Sequence, residues 1–209
     1  MERRRPISFI LTVTLLLLSS LSACGKSDQQ AETKTGPAIN PYSNESTFDE
    51  VMRKLKENPN DADLLYHLAD LYDRNAQYKE AVDTYKKVIK LKPRLGYAYF
   101  KMGTAYDRMN DPSNAVKTFR EAVKYIPKNP QLYNNMGVAY GKLGKHSEEV
   151  ESLKKAIKLR PNYAAARYNL GLTYLKMKNA KAAKKEYEAL KEFDEGTAAN
   201  LLKEIEKAR

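Results

Sequence analysis

The chain has 209 residues, 37 Lys and Arg against 26 Asp and Glu, and a formal net charge of +11. A single Cys excludes an internal disulfide, and two His beside that one Cys leave no His/Cys cluster for a structural metal. No Trp and few strand-like runs predict an almost wholly helical protein, while the basic balance invites a nucleic-acid reading that the first residues argue against.

Residues 1–23 read as a secretion signal. Arg3, Arg4 and Arg5 make a positive start, and Ile7–Ala23 carries no charge and is mostly apolar. The run is too short and wrongly flanked for a membrane span. Leu21-Ser22-Ala23-Cys24 closes it and resembles the bacterial lipobox. That resemblance implies a diacylglyceryl group on Cys24, which becomes the first mature residue, and an amide-linked acyl chain on its amine. Several acyl chains anchor stably where one is marginal. With two membranes, Gly25 after the cysteine, in place of the Asp tied to inner-membrane retention in some enteric bacteria, implies the outer membrane facing the periplasm. With a single membrane, the site would be the outer face of the cytoplasmic membrane. Export argues against nucleic acid as a partner, and the mature chain keeps about +9 once the three Arg and one Glu of residues 1–23 are gone.

Residues 24–46 are the lipidated Cys and a tether. Gly25–Ser46 is rich in Ser, Gln, Thr, Asn, Gly and Pro and cannot bury enough surface to fold. A flexible chain of this size spans roughly 25 Å on average.

From residue 47 the pattern changes. Phe48, Val51, Met52 and Leu55 make one apolar face, and residues 47–61 read as the second half of a repeat. Tyr72, Tyr106, Tyr140 and Tyr174 then recur at a spacing of 34, as do Pro59, Pro93, Pro127 and Pro161. Two residue types in phase at one period define a repeat array, with units at 62–95, 96–129, 130–163 and 164–196. In the first unit, Leu65, Leu68, Ala69 and Tyr72 mark one helix, and Ala81, Val82, Tyr85, Val88 and Ile89 mark a second. Pro93 stops the second helix, because proline cannot donate to the helical ladder.

The small-residue column Ala69, Gly103, Gly137, Gly171 predicts close helix contacts. The large apolar column reads Tyr85, Phe119, Leu153, Tyr187. Glu149 interrupts the Ala81, Ala115, Ala183 column, and its carboxylate is expected to reach the surface along its stem. Gly141 and Gly144 are placed in a repeat turn. Residues 197–209 read as a capping helix with Ala198, Leu201, Leu202, Ile205 and Ala208 inward, covering an apolar face that the last repeat would otherwise expose.

These columns resemble the tetratricopeptide repeat. The second unit matches all eight motif positions by type: Tyr99, Met102, Gly103, Tyr106, Ala115, Phe119, Ala122 and Pro127. The fourth departs at Arg167 and Glu195. The resemblance implies an all-α fold, a right-handed α-solenoid of helix-turn-helix repeats with a C-terminal capping helix. It also implies that the first helices line a concave groove. Its offsets give Tyr66, His67 and Asp70; Tyr97, Phe100, Lys101, Thr104 and Arg108; Asn134, Asn135 and Val138; and Tyr168, Asn169 and Leu172. These residues are expected to be free of any core role. Tyr66, Phe100, Asn134 and Tyr168 share a column, so aromatic anchors face the groove at regular spacing. The asparagines can bond a peptide backbone as donor and acceptor. The family's carboxylate clamp is absent, since Tyr66, Asp70 and Lys101 stand where its Lys, Asn and second Asn would be.

The second helices carry the basic columns Lys86, Arg120, Lys154 and Lys90, Lys124, Lys158, read as a solvated face or as a stripe touching anionic lipid. No catalytic constellation, phosphate loop or cofactor motif is present. The expected function is a lipid-anchored envelope scaffold that binds a protein or peptide partner, as in assembly of a pilus, secretion or cell-wall complex. The alternative is an envelope enzyme or its accessory subunit.

Overall fold

The computed structural model describes residues 47–208. The expected signal segment, Cys24 and the expected tether lie outside them. Ten α-helices and no strand occur among the described residues. They run α1 Phe48–Glu57, α2 Ala62–Arg74, α3 Tyr78–Leu91, α4 Gly96–Arg108, α5 Pro112–Tyr125, α6 Pro130–Lys142, α7 His146–Leu159, α8 Ala164–Lys176, α9 Ala180–Lys191 and α10 Glu195–Lys207. They pack as antiparallel pairs α2/α3, α4/α5, α6/α7 and α8/α9, each pair stacked on the next, with α1 before them and α10 closing the far end.

Local chemistry sets the helix ends. The side chains of Thr47, Asp61, Asp111, Asn129, Asn179 and Asp194 accept hydrogen bonds from the first turns of α1, α2, α5, α6, α9 and α10. Pro93, Pro127 and Pro161 each sit one residue beyond the C-cap of a second helix. The turn inside every repeat needs one left-handed residue. Ala76, Asn110 and Lys178 have φ near 58°, 58° and 57°, and Gly144 has φ 71°. Each is followed by a backbone bond to the motif tyrosine: Gln77, Asp111, Lys145 and Asn179 donate to the carbonyls of Tyr72, Tyr106, Tyr140 and Tyr174 at 2.8–3.0 Å. Gly141, placed in this turn by the sequence reading, lies instead in the last turn of α6.

The core runs along the seam between first and second helices. Tyr85, Phe119 and Leu153 are fully buried, each contributing about 1.5–3 kcal/mol relative to exposure. Their rings and methyls press on the small-residue column. A Cβ on Gly103 would lie 2.7 Å from the Phe119 ring, and one on Gly137 would lie 2.9 Å from Leu153 Cγ. At Gly171 the contact is different: a Cβ there would meet Leu201 of α10 at 2.6 Å. The first helices begin 34 residues apart as far as α8, but α10 begins 31 after α8. The last repeat has Glu195 where proline would stand, and it is three residues short. Leu201 thereby takes the core place of Tyr187, which is left half-buried.

Two departures in the fourth repeat answer each other. Arg167 stands where the other units have Leu65, Tyr99 and Tyr133, and Glu186 where they have Thr84, Thr118 and Ser152. Arg167 Nη1 donates to Glu186 Oε2 at 2.8 Å, and Arg167 Nε donates to the Pro161 carbonyl at 3.0 Å. The Tyr99 hydroxyl makes the same bond to Pro93, so the arginine keeps the column's link to the preceding exit turn.

Candidate functional site: the first-helix groove

The first helices α2, α4, α6 and α8 form a continuous face, and a ladder of charges ties α2 to α4 and α4 to α6. Arg108 Nη1 donates to Asp73 Oδ2 at 2.5 Å, and Lys142 Nζ donates to Asp107 Oδ1 at 2.7 Å. Both pairs span 35 residues, from the last turn of one first helix to the last turn of the following one. The guanidinium of Arg108 also lies 5.7 Å from the Tyr78 ring. The third rung is missing. Gly141 stands in the acid's column, and Lys176, in the base's column, has no carboxylate partner among the described residues.

A second set of polar contacts lies on the same face. Asp70 accepts from the Tyr85 hydroxyl in a very short hydrogen bond and pairs with Lys101 Nζ at 3.1 Å. Burial first, and the Asp70 charge second, hold both Tyr85 and Tyr66 far above the ordinary phenol range. An amide chain follows in the next repeats. Asn169 Nδ2 donates to Asn134 Oδ1 at 3.0 Å, and Asn134 Nδ2 donates to Asn135 Oδ1 at 3.2 Å.

Two pockets open on this face. One, of 360 Å³, is lined by Asp73, Phe100, Lys101, Thr104, Arg108, Gln131, Asn135 and Tyr163. Five of these were named from sequence: Phe100, Lys101, Thr104, Arg108 and Asn135. The other, of 190 Å³, lies at the missing rung and is lined by Val138, Gly141, Lys142, Glu149, Asn169, Leu172 and Lys176. Tyr66, Tyr97, Asn134 and Tyr168 line neither of these pockets. Asp73 Oδ1 is buried and has no hydrogen-bond partner among the described residues. Tyr163, at the cap of α8, is raised above the ordinary phenol range by burial, against the opposing charge of Arg160.

Two expectations are corrected here. The groove residues are not free of the core. His67 and Asn134 are buried, Tyr66 stands edge-on to Tyr85 at 5.7 Å, and Phe100 tilts against Phe119 at 6.2 Å. Tyr168 and Leu172 pack on the C-terminal core. These rings sit at the helix–helix boundary, where any large apolar side chain finds the seam of its own repeat. Asn134 is buried because its neighbours at 135 and 169 satisfy its amide. Glu149 does not reach the surface: it is 5% exposed, and its Oε2 lies 3.0 Å from His146 Nδ1. Gly141 makes the room for it.

Sequence reasoning missed Asp73, Gln131, Tyr163, Lys142 and Lys176. The signal was present for the ladder, since Asp73 and Asp107 share one column and Arg74, Arg108, Lys142 and Lys176 share another. Among the described residues, no three His, Cys, Asp or Glu side chains stand together to hold a metal ion. No helix there is long and apolar enough to cross a membrane.

The comparisons with known proteins agree with this geometry. A family model described as TPR repeat matches residues 109–144 and 142–178, and one described as Tetratricopeptide repeat matches 62–95 and 164–197. A comparison of the sequence with curated proteins returns no match. Among solved structures, MamA from Desulfovibrio magneticus RS-1 is similar at 21% identity and TM-score 0.68, over 70% of this chain and 83% of that one. YrrB, described as a TPR protein with an unusual peptide-binding site, is similar at 19% identity and TM-score 0.64, over 78% and 94%. The first TPR of Spaghetti (RPAP3), bound to an HSP90 peptide, is similar at 23% identity and TM-score 0.55, over 56% and 93%. With four helix pairs in register and both repeat models matching across them, this chain belongs to the tetratricopeptide-repeat family.

Proposed function

We propose that this chain is a lipid-anchored scaffold of a bacterial envelope whose first-helix groove captures an extended or helical segment of a partner protein, without chemistry of its own. The observation that carries the binding reading is the 360 Å³ pocket, where five residues named from sequence converge with Asp73, Gln131 and Tyr163. Its charges are answered internally, Lys101 by Asp70 and Arg108 by Asp73. What remains for a ligand is the Phe100 and Tyr163 ring surface and the amides of Gln131 and Asn135. Those groups suit a neutral main chain with an apolar side chain better than a charged terminus. The amide chain from Asn169 through Asn134 holds Asn135 in place, so little side-chain freedom is lost on binding.

The peptide-binding descriptions of YrrB and of Spaghetti (RPAP3) support a peptide ligand in the same fold. The envelope setting rests on Arg3–Arg5, the apolar run and Leu21-Ser22-Ala23-Cys24, with Gly25 favouring the outer membrane facing the periplasm. Assembly of a pilus, secretion or cell-wall complex is the role such a scaffold would serve. A photo-crosslinking residue placed at exposed Gln131 should trap the partner in intact cells. The same residue at exposed Lys117, on α5, the second helix of the preceding repeat, should not. Equal trapping at both positions, or trapping at Lys117 alone, would contradict the groove reading.

A further inference from the structure

A cavity larger than either groove pocket lies on the opposite face. It is a furrow of 560 Å³ between α5 and α7, floored by Val123, Met136 and Tyr140 of α5 and α6. Arg120 of α5 and Glu148, Glu151, Lys154, Lys155 and Lys158 of α7 line it, and four of these recur along one line of α7: Glu148, Glu151, Lys155 and Lys158. Their spacings of three, four and three put all four on one stripe of the helix. Read along α7, the stripe is two acids followed by two bases.

Among the described residues, these four charges form no ion pairs. Other surface helices close their own pairs: Lys54–Glu50 at 2.7 Å, Lys86–Asp83 at 3.1 Å, Lys124–Glu121 at 2.7 Å and Lys207–Glu204 at 2.7 Å. Among the described residues, none of Glu148, Glu151, Lys155 and Lys158 has an ion-pair partner within 4.0 Å, although Glu151 and Lys155 stand four apart on one helix. Lys155 instead lies over the Tyr133 ring at 5.9 Å.

We propose that this furrow is a homotypic contact, occupied by α7 of a second copy of the chain running antiparallel. A two-fold axis at the level of Leu153 sets Glu148 against Lys158 and Glu151 against Lys155. Two-fold symmetry makes each pair twice, so the stripe is complementary to itself in this one orientation. A parallel arrangement would set acid on acid and base on base. Lys154 lines the furrow near the axis, and its ammonium lies over the Tyr174 ring at 6.0 Å, which holds it on its own chain. The aliphatic stems of Lys155 and Lys158 cover the apolar floor as their charges pair across it. One helix from each copy makes an interface below the size of a permanent dimer, so association is weak and sensitive to salt.

The test is sedimentation of the chain from residue 36 onward, which carries all ten helices of the described residues. Loading runs from about 10 to about 500 µM at about 0.05 M and about 0.5 M salt. A dimer is expected at low salt, at least tenfold weaker at high salt. The pair Glu148→Lys with Glu151→Lys should be monomeric, and so should Lys155→Glu with Lys158→Glu. All four positions are on the surface side of α7, so helix content should not change. An equimolar mixture of the two double variants should dimerise again, because every facing pair is then of opposite sign. A wild-type chain that stays monomeric overturns the proposal, as does a dimer that ignores the charge reversals or that mixing fails to restore. If the monomeric chain instead binds a labelled hexaglutamate peptide in a manner abolished by Lys155→Glu with Lys158→Glu, the proposal is equally overturned and the occupant is an acidic segment.

Discussion

The carboxylate of Glu149 occupies the space that a side chain at position 141 would need: a Cβ on Gly141 would lie 2.5 Å from Glu149 Oε1. In the two preceding repeats the same columns hold Asp73 with Ala81 and Asp107 with Ala115. The acid has moved from the first helix to the second, and the ladder that links successive repeats loses its third rung. Gly141→Asp alone should destabilise by about 1–3 kcal/mol through overpacking, although replacing a helical glycine would otherwise help. Placed together with Glu149→Ala, the same change should be nearly neutral or stabilising, because the new carboxylate faces Lys176. Chemical denaturation of both single variants and the double variant should give a coupling of at least about 1 kcal/mol. Additive losses would mean that the two positions do not compensate.

Backbone strain at the repeat turns supplies a second expectation. Ala76 and Lys178 hold φ near 58° and 57° where Gly144 holds 71°. A left-handed conformation costs a non-glycine residue about 1–2 kcal/mol, partly offset by the entropy glycine loses on folding. Lys178→Gly and Ala76→Gly should therefore each raise stability by about 0.5–1 kcal/mol. Gly144→Ala should lower it by a similar amount through local backbone strain alone, since nothing else lies within 4 Å of a Cβ there. Midpoints moving in the opposite direction at all three positions would contradict the turn geometry.

Alkaline pH should unfold the protein through its buried phenols. Tyr85 and Tyr66 are pushed above the ordinary phenol value by burial and then by Asp70. The folded state then keeps protons that the unfolded state releases above about pH 10, so stability is full below that value and falls as pH rises. Tyr85→Phe should reduce this slope and should also cost about 1–3 kcal/mol at neutral pH, since Asp70 loses a donor. Stability that is flat or rising between about pH 9.5 and 11 would show that these rings ionise freely in the fold.

The proposed lipid anchor has its own check. Cys24→Ser should release the chain from membranes after a high-salt wash in cell fractionation, because the lipobox-like Leu21-Ser22-Ala23 would have no cysteine to modify. Continued membrane partitioning of this variant would rule out lipidation as the anchor.

The repeat columns made most of the fold legible. The small residues at Gly103 and Gly137 meet Phe119 and Leu153 as their spacing implies, because one period of 34 fixes which side chains face across a helix pair. The reading failed where the period itself changes. Gly171 meets Leu201 because the last repeat is three residues short, and a column analysis that assumes a constant period points to Tyr187 instead. Glu149 was misplaced because one column was read alone; its burial becomes plain only beside Gly141, a residue in another column. The groove was legible at Phe100, Lys101 and Asn135, but the burial of Asn134 depends on two amide contacts, one of them 35 residues away. Such contacts follow from stacking between repeats, which no single repeat encodes.

The claim that the first-helix groove receives a partner segment is tested most directly at Gln131 and Asn135, which line the pocket without belonging to its apolar core. The measurement is the affinity of the segment recovered by crosslinking at Gln131, titrated against the wild-type repeats and against the variant carrying Gln131→Ala and Asn135→Ala. At least a tenfold loss of affinity is expected in the variant, measured well below both melting transitions, together with a melting temperature a few degrees lower because Asn135→Ala leaves the buried Asn134 amide without its acceptor. Undiminished affinity in the folded variant would contradict the groove reading and remove the groove from the binding surface.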